Sequence, residues 1–416
     1  MTHTQSEDNM TSGWKTVKLG EIAQINTESY STKDNWDFVN YLDTGNITRN
    51  QIESIQYINI ATDKLPSRAK RKVKLNSIIY STVRPNQRHY GIIKSQPANF
   101  LVSTGFAVID ANVNVVSPDF LYYTLTQNEI VESLHAIAEQ SKSSYPAIIP
   151  ADIQNLQLRV PPLDVQRWIA AVLKPLDDKI EMNARINARL ERVAQALFKR
   201  HFVRFESYGG TMPPGWRVGT LSEIAEYLNG LAMQKFRPKE GEVGVPVLKI
   251  KELRQGACDE SSELCSPSIK REYLVHDGDV IFSWSGTLLV DFWCGGECGL
   301  NQHLFKVTSS KYDKWFYYTW TKHHLRKFIA MAADMATTMG HIKREALDNS
   351  EVLIPTQEDY AEIGSLMSPL FDMIIENRKQ SRTLARLRDV LLPRLMSGAV
   401  DVRQVRLNAM QEGGSR

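Results

Sequence analysis

Among the side chains able to grip or read an anionic polymer, the densest run lies in Thr82–Tyr90, with Arg84, Asn86, Gln87, Arg88 and His89. Arginine, asparagine and glutamine carry donor and acceptor sets that match base edges, whereas lysines serve mainly as phosphate charges. The charge around this loop is one-sided. Between Asp63 and Asp110 there is no acidic residue, yet the span holds Lys64, Arg68, Lys70, Arg71, Lys72, Lys74, Arg84, Arg88 and Lys94. A solvated face mixes signs, so this bias favours an anionic partner, most simply nucleic acid. The overall formal charge of +3 says little, because the positive charge is local. An ordinary polar loop is the competing reading of Thr82–Tyr90.

Three other stretches carry groups of the same kind. Gln140–Tyr145 contains Lys142, Ser143, Ser144 and Tyr145, and Asp334–Met339 matches it 194 residues later with Thr337 and Thr338, followed by His341 and Lys343. Small hydroxyls there suit phosphates or bases; a plain turn fits equally well. In the second half, Trp284, Ser285 and Thr287 end one apolar strand, and Asn301, Gln302 and His303 begin another. Base contact and strand-end packing both fit these residues.

Catalytic chemistry is not legible. No Gly-x-x-x-x-Gly-Lys-Ser/Thr loop cradles phosphate, and neither His-Glu-x-x-His nor a Gly-x-Ser-x-Gly elbow occurs. An amino-methyltransferase motif of the Asp/Asn-Pro-Pro-Tyr type is missing, as is a glycine fingerprint for a nucleotide cofactor. Asp277-Gly278-Asp279 reads as a turn before a strand rather than a metal site. His323-His324 falls in a helix, where neighbours face different ways, and reads as surface or phosphate-contacting. The cysteines, Cys258, Cys265, Cys294 and Cys298, have poor zinc spacing and read as reduced thiols, so no metal or cofactor is expected. No secretory signal is apparent and no apolar run approaches ~20 residues, so the chain reads as cytoplasmic with no membrane partner.

The elements that must position these groups repeat. A chain of 416 residues with 42% hydrophobic content can fill two or three cores. Trp14–Ala23 matches Trp216–Ala225, and Asn76–Ser81 matches Gly278–Ser283, both at an offset of 202. The second pair are β-branched and aromatic runs behind turns, hence strands. Tyr122–Thr124 matches Tyr317–Thr319, each expected to open a helix. Next come two heptad stretches. Ile169, Leu173, Leu176, Ile180, Leu190, Ala194 and Leu197 recur in steps of four and three, the seam of a coiled coil. Ile363, Met367, Leu370, Ile374, Leu384, Leu391 and Leu395 repeat it 194 residues later. Both seams are polar in the middle, at Asn183 and Asn187 and at Asn377 and Ser381. In an antiparallel pair these four meet near the crossing and fix helix register, because a slipped helix buries amides against leucine.

The frame agrees between halves while the loops differ. Arg84–Tyr90 stands where the second copy has Trp284–Thr287, which suggests two related sites reading different things. The segments run 14–160, 161–208, 212–354 and 355–398, divided at Pro161-Pro162, Gly209-Gly210 with Pro213-Pro214, and Pro355. The class is α+β: two mixed α/β units joined by two long antiparallel coiled-coil helices.

At this level the chain resembles the specificity subunits of type I restriction–modification systems. Leu384-Ala-Arg-Leu-Arg-Asp-Val-Leu-Leu-Pro-Arg-Leu-Met-Ser-Gly398 is similar to that family's closing signature. Gly13-Trp14 through Leu19-Gly-Glu-Ile-Ala23, and its copy from Gly215-Trp216, resemble the family's unit starts. Gly295–Lys306, with Asn301-Gln-His-Leu-Phe305, looks like a recurrent type of target-recognition domain. Gln357–Tyr360 departs from the pattern that Leu163-Asp-Val-Gln166 follows. The resemblance implies two target-recognition domains, each reading half of a split site in double-stranded DNA. It also implies helices that dock two methyltransferase subunits and, through them, motor–nuclease subunits, with cofactors held by those partners. The rival readings are a stand-alone DNA-modifying enzyme with unrecognised motifs and a coiled-coil scaffold with no DNA role.

Overall fold

The apolar runs behind turns do become central strands. In the computed structural model, which describes residues 13–140, 146–334 and 344–400, Ile78–Ser81 and Val280–Ser283 are buried at every position. Such strands have neighbours on both sides and cover on both faces, which suits β-branched and aromatic residues. Ile78–Ser81 pairs with Phe106–Ala111 and Tyr90–Ile92 in the antiparallel sheet Ala23–Ile25, Phe106–Ala111, Ile78–Ser81, Tyr90–Ile92. The second copy builds the same order from Glu226–Asn229, Leu304–Thr308, Val280–Ser283 and Leu289–Phe292.

A second four-stranded sheet is also repeated. Phe38–Leu42 runs parallel to Phe100–Ser103, flanked by Gln56–Asn59 and Ala69–Lys72. Its counterpart sets Val245–Leu248 parallel to Cys298–Leu300, flanked by Leu264–Cys265 and Leu274–Val275. A two-stranded ladder closes each copy: Lys15–Lys18 with Gln157–Val160, and Arg217–Thr220 with Glu351–Ile354. The copies differ after the first strand of the second sheet. One inserts the hairpin Ile47–Thr48/Gln51–Ile52, the other the helix Ile250–Gln255.

The heptad stretches form helices Leu163–Phe198, continued by a π-helical turn at Lys199–Val203, and Gln357–Met396. By packing, the chain divides into two units. One runs to Asp178 and resumes at Ala385; the other spans Lys179–Leu384, so the division falls inside both long helices. The first unit's core gathers Leu19, Tyr80, Phe120, Leu134, Ile169, Leu173 and Leu395. The second gathers Phe198, Phe202, Trp216, Phe282, Trp315, Ile363, Met367 and Phe371. The seam residues are therefore covered at these points by globular core as well as by a facing helix.

Two local expectations change. Tyr122–Thr124 closes the helix Pro118–Leu125 instead of opening one, because Pro118 already starts it and a fresh helix begins at Asn128. The departure at Gln357–Tyr360 keeps the local function with different chemistry. In the first unit the buried Gln166 accepts from the Ser117 amide at 2.8 Å and donates to the Pro161 carbonyl at 2.8 Å. In the second, Tyr360 accepts from the Asp313 amide at 2.7 Å and donates to the Asp313 carboxylate at 3.0 Å. Either way the loop before a core helix is tied to the start of a long helix.

Candidate nucleic-acid interface

In the first unit, the loop after Ile78–Ser81 turns through a 3₁₀ segment, Pro85–Gln87, bounded by Arg84 and Arg88 with left-handed φ of 46° and 58°. Buried Pro85 anchors it. The Arg84 amide donates to the Pro146 carbonyl at 2.9 Å, and the Thr82 hydroxyl donates to the Gly105 carbonyl at 2.9 Å. Arg84, Asn86 and Gln87 are exposed, while Arg88 and His89 are half-buried. The His89 ring is committed inward: its Nδ1 donates to the Ile47 carbonyl at 2.6 Å. Left-handed backbone costs an L-residue about 1–2 kcal/mol, and it occurs at both arginines of this one loop.

The basic span is acid-free in sequence but not in space. Lys72 pairs with Asp34 and lies 5.4 Å from the centre of the Trp36 ring. Lys74 pairs with Glu28 at 2.9 Å, and Lys94 with Asp119 at 2.5 Å. Asp34 is held below the usual carboxylate range chiefly by the hydrogen bond from Lys72. Arg71 is half-buried, burial lowers its pKa, and its Nε has no partner. Lys72 is thus a packing cation, because strand Ala69–Lys72 turns it toward Asp34 and Trp36. Lys64, Arg68 and Lys70 stay exposed and make no ion pair among the described residues.

In the second unit, the corresponding groups form one interlocked patch at the end of the sheet. Trp284 Nε1 donates to Asn229 Oδ1 at 3.1 Å, and its ring lies 6.3 Å from that of His303. Ser285 Oγ is 2.9 Å from His303 Nδ1. Asn301 is buried and accepts from the His303 amide at 3.2 Å; Ser285 is buried too. These two shape the loops, whereas Trp284, Gln302 and His303 are half-buried and Thr287 is exposed. Gln302 keeps a buried Oε1 with no partner. Gly230, just after the strand Glu226–Asn229, permits a close approach of the backbone, since a Cβ there would sit 2.2 Å from the Asn301 carbonyl oxygen.

Lys142, Ser143, Ser144, Tyr145, Thr337, Thr338, His341 and Lys343 lie outside the described residues. His324 donates to the Glu351 carbonyl at 2.8 Å, and His323 packs on the rings of Phe198 and Trp320. His323 stays exposed and His324 half-buried, and partial desolvation lowers both pKa values. Asp277-Gly278 forms a turn, and Asp277 holds Arg382 of the second long helix at 2.6 and 2.7 Å. The Cys258 and Cys298 sulfurs lie 3.3 Å apart, and no cluster of three or more His, Cys, Asp or Glu suited to a metal occurs among the described residues.

The polar seam residues come together. Asn183, fully buried, donates to Gln380 Oε1 at 2.9 Å, Ser381 Oγ at 3.1 Å and the Asn377 carbonyl at 3.3 Å. Asn377 donates in turn to Asn187 Oδ1 at 2.9 Å, and Asn187 to the Ile374 carbonyl at 3.2 Å. Partners fall in sequence as one helix rises, so the two segments are antiparallel here. Sequence reading missed Gln380, and it missed the hairpin at Arg49 and Asn50; the Asn50 turn signal was there to find it.

The doubling of the frame is matched by a doubled similarity to known proteins. The family model for the type I restriction modification DNA specificity domain matches residues 11–192 and again 213–384. The chain belongs to that family. It is 23% identical to the HindI specificity subunit of Haemophilus influenzae, covering 94% of this chain and 100% of that one. It is 26% identical to the MjaIX specificity subunit of Methanocaldococcus jannaschii, covering 94% of each. The crystal structure of the S subunit from M. genitalium shares the fold, with a TM-score of 0.53 at 14% identity over 92% of this chain and 96% of the other. As a specificity-family member, the chain acts in DNA sequence specificity. No helix among its described residues is long and apolar enough to cross a membrane.

Proposed function

We propose that this chain is the non-catalytic reading subunit of a cytoplasmic type I restriction–modification complex. Each globular portion reads one half of a split site in double-stranded DNA. The long helices dock two methyltransferase subunits, through which motor–nuclease subunits attach, and their register sets the spacing between half-sites. The observation that carries this reading is the repeated frame with unlike loops at one equivalent place, Arg84–Tyr90 against Trp284–Thr287. Duplicated scaffolds with different loops suit two related ligands of different sequence, since loops vary where scaffolds do not. Base reading falls to Arg84, Asn86, Gln87 and Arg88 in one portion and to Trp284, Thr287, Gln302 and His303 in the other. Lys70 contributes charge to phosphate. The test is genome-wide mapping of methylated positions in cells with and without the chain. A split motif that disappears with the chain is the expected result; turnover by the purified chain alone with DNA and methyl donor sinks the reading.

A further inference from the structure

Arg49 sits at the tip of a two-residue hairpin turn between Ile47–Thr48 and Gln51–Ile52. Both central residues are left-handed, with φ of 47° at Arg49 and 67° at Asn50. Turns of this kind favour asparagine, aspartate or glycine, which tolerate positive φ. Asn50 meets that demand and Arg49 does not. A long cation stands where the backbone disfavours it, and strained positions of this sort cluster at ligand clamps.

The tip is rigidly mounted on the loop that carries Arg88. The Arg49 amide donates to the Arg88 carbonyl at 2.9 Å, and the Asn50 amide to the Tyr90 carbonyl at 2.8 Å. Asn50 Oδ1 accepts from the Ile92 amide at 2.8 Å, and His89 Nδ1 donates to the Ile47 carbonyl at 2.6 Å. Gly91 makes room for the hairpin, because a Cβ there would come within 2.6 Å of Ile47 Cδ1 and 2.8 Å of Asn50 Oδ1. Yet the Arg49 side chain is exposed and has no ion-pair partner among the described residues. The hairpin also occupies the point where the repeat breaks. The second copy places the helix Ile250–Gln255 there, and Ile250 Cδ1 lies 3.6 Å from where a Gly286 Cβ would be, in the loop Trp284–Thr287. In both copies, then, this insertion backs the variable loop.

From these observations we infer that Arg49 is a specificity-determining DNA contact of the first unit, presenting its guanidinium to a base edge beside Arg88. The inference rests on the DNA-reading role proposed above. A fixed Cα matters for a bidentate base contact, whereas a phosphate is reached as well by a mobile lysine.

The test uses the full chain assembled with its methyltransferase subunits. The probes are a duplex carrying the site mapped by methylation and duplexes with its bases substituted one at a time. Arg49→Asn installs a better turn residue, so the melting temperature is expected to hold or rise. Affinity is expected to fall about tenfold to a hundredfold, with preference at one base pair of a single half-site flattened. Arg49→Lys is expected to lose the same preference despite keeping the charge. Full selectivity in Arg49→Lys marks a phosphate contact and overturns the inference. So does a melting temperature of Arg49→Asn that falls together with its affinity. If Arg49→Asn binds normally while Arg88→Ala loses preference, the inference fails and the reading role of the loop stands. If neither substitution alters preference in either half-site, the reading role fails as well.

Discussion

Lys70 and Lys72 are two residues apart on one edge strand and have different surroundings. Lys70 is exposed, whereas Lys72 is spent on Asp34 and Trp36. Lys70→Ala is expected to leave the melting temperature unchanged, weaken binding to all DNA sequences alike, and flatten the salt dependence by about one unit of slope. Lys72→Ala is expected to lower the melting temperature with no selective effect on DNA. Salt titrations of binding beside thermal melts check both. Arg88 belongs to a third class, with its backbone held in a left-handed conformation on a rigid loop. Arg88→Ala is expected to cost about 1–3 kcal/mol of site affinity and relax preference at one position. Scrambled-site duplexes provide the comparison; equal losses on target and scrambled DNA refute a base contact.

At the level of elements, the asparagine cluster determines what a leucine does in the seam. Asn377 is the donor to Asn187 Oδ1, and Asn187 is only 8% exposed. Asn377→Leu alone therefore orphans a buried acceptor and is expected to destabilise by about 1–3 kcal/mol. Replacing Asn183, Asn187 and Asn377 together by leucine removes the mutual amides and is expected to recover stability while loosening register. Thermal melts of the single and triple variants decide between these outcomes. The second long helix is also pinned by Arg382 to Asp277, whose carboxyl is held below its ordinary value chiefly by that guanidinium, with burial opposing. A carboxylate with a lowered folded pKa adds stability above its unfolded value and loses it as pH falls through the folded value. Asp277→Asn is expected to cost about 1–2 kcal/mol at neutral pH, given partial solvent screening. The gap from the parent chain should close as pH falls below the carboxylate range, which denaturant titrations across pH measure.

For the whole molecule, the proposed modularity and ruler make separate demands. Exchanging residues 14–155 for a related unit is expected to change one half-site only, read by methylation mapping; a change in both halves, or in neither, removes the two-reader model. Deleting one heptad, Asn183–Arg189, shortens a helix by about 10 Å, about three base pairs of rise. The expected result is a shorter preferred spacer or lost assembly, with each half-site sequence kept. An unchanged spacer excludes the helices as the ruler.

Periodicity and repetition were sufficient to read the long helices, the doubled frame and the central strands Ile78–Ser81 and Val280–Ser283, because each is a local pattern that burial enforces. The polar interruption at Asn183 and Asn377, repeated at one offset, likewise marked residues that the fold joins in one hydrogen-bonded cluster. Pairing between distant segments was not legible. Glu28, Asp34 and Asp119 come from outside the acid-free span to neutralise Lys74, Lys72 and Lys94. Asn301 and Ser285 look like readers in sequence, yet strand-end packing buries them. Arg49 is isolated in sequence from Arg88, and only the hydrogen bonds that lay its hairpin on Tyr90–Ile92 bring the two arginines together. Local chemistry sets what each segment can form; which charges remain available to a ligand depends on contacts that close only when the chain folds.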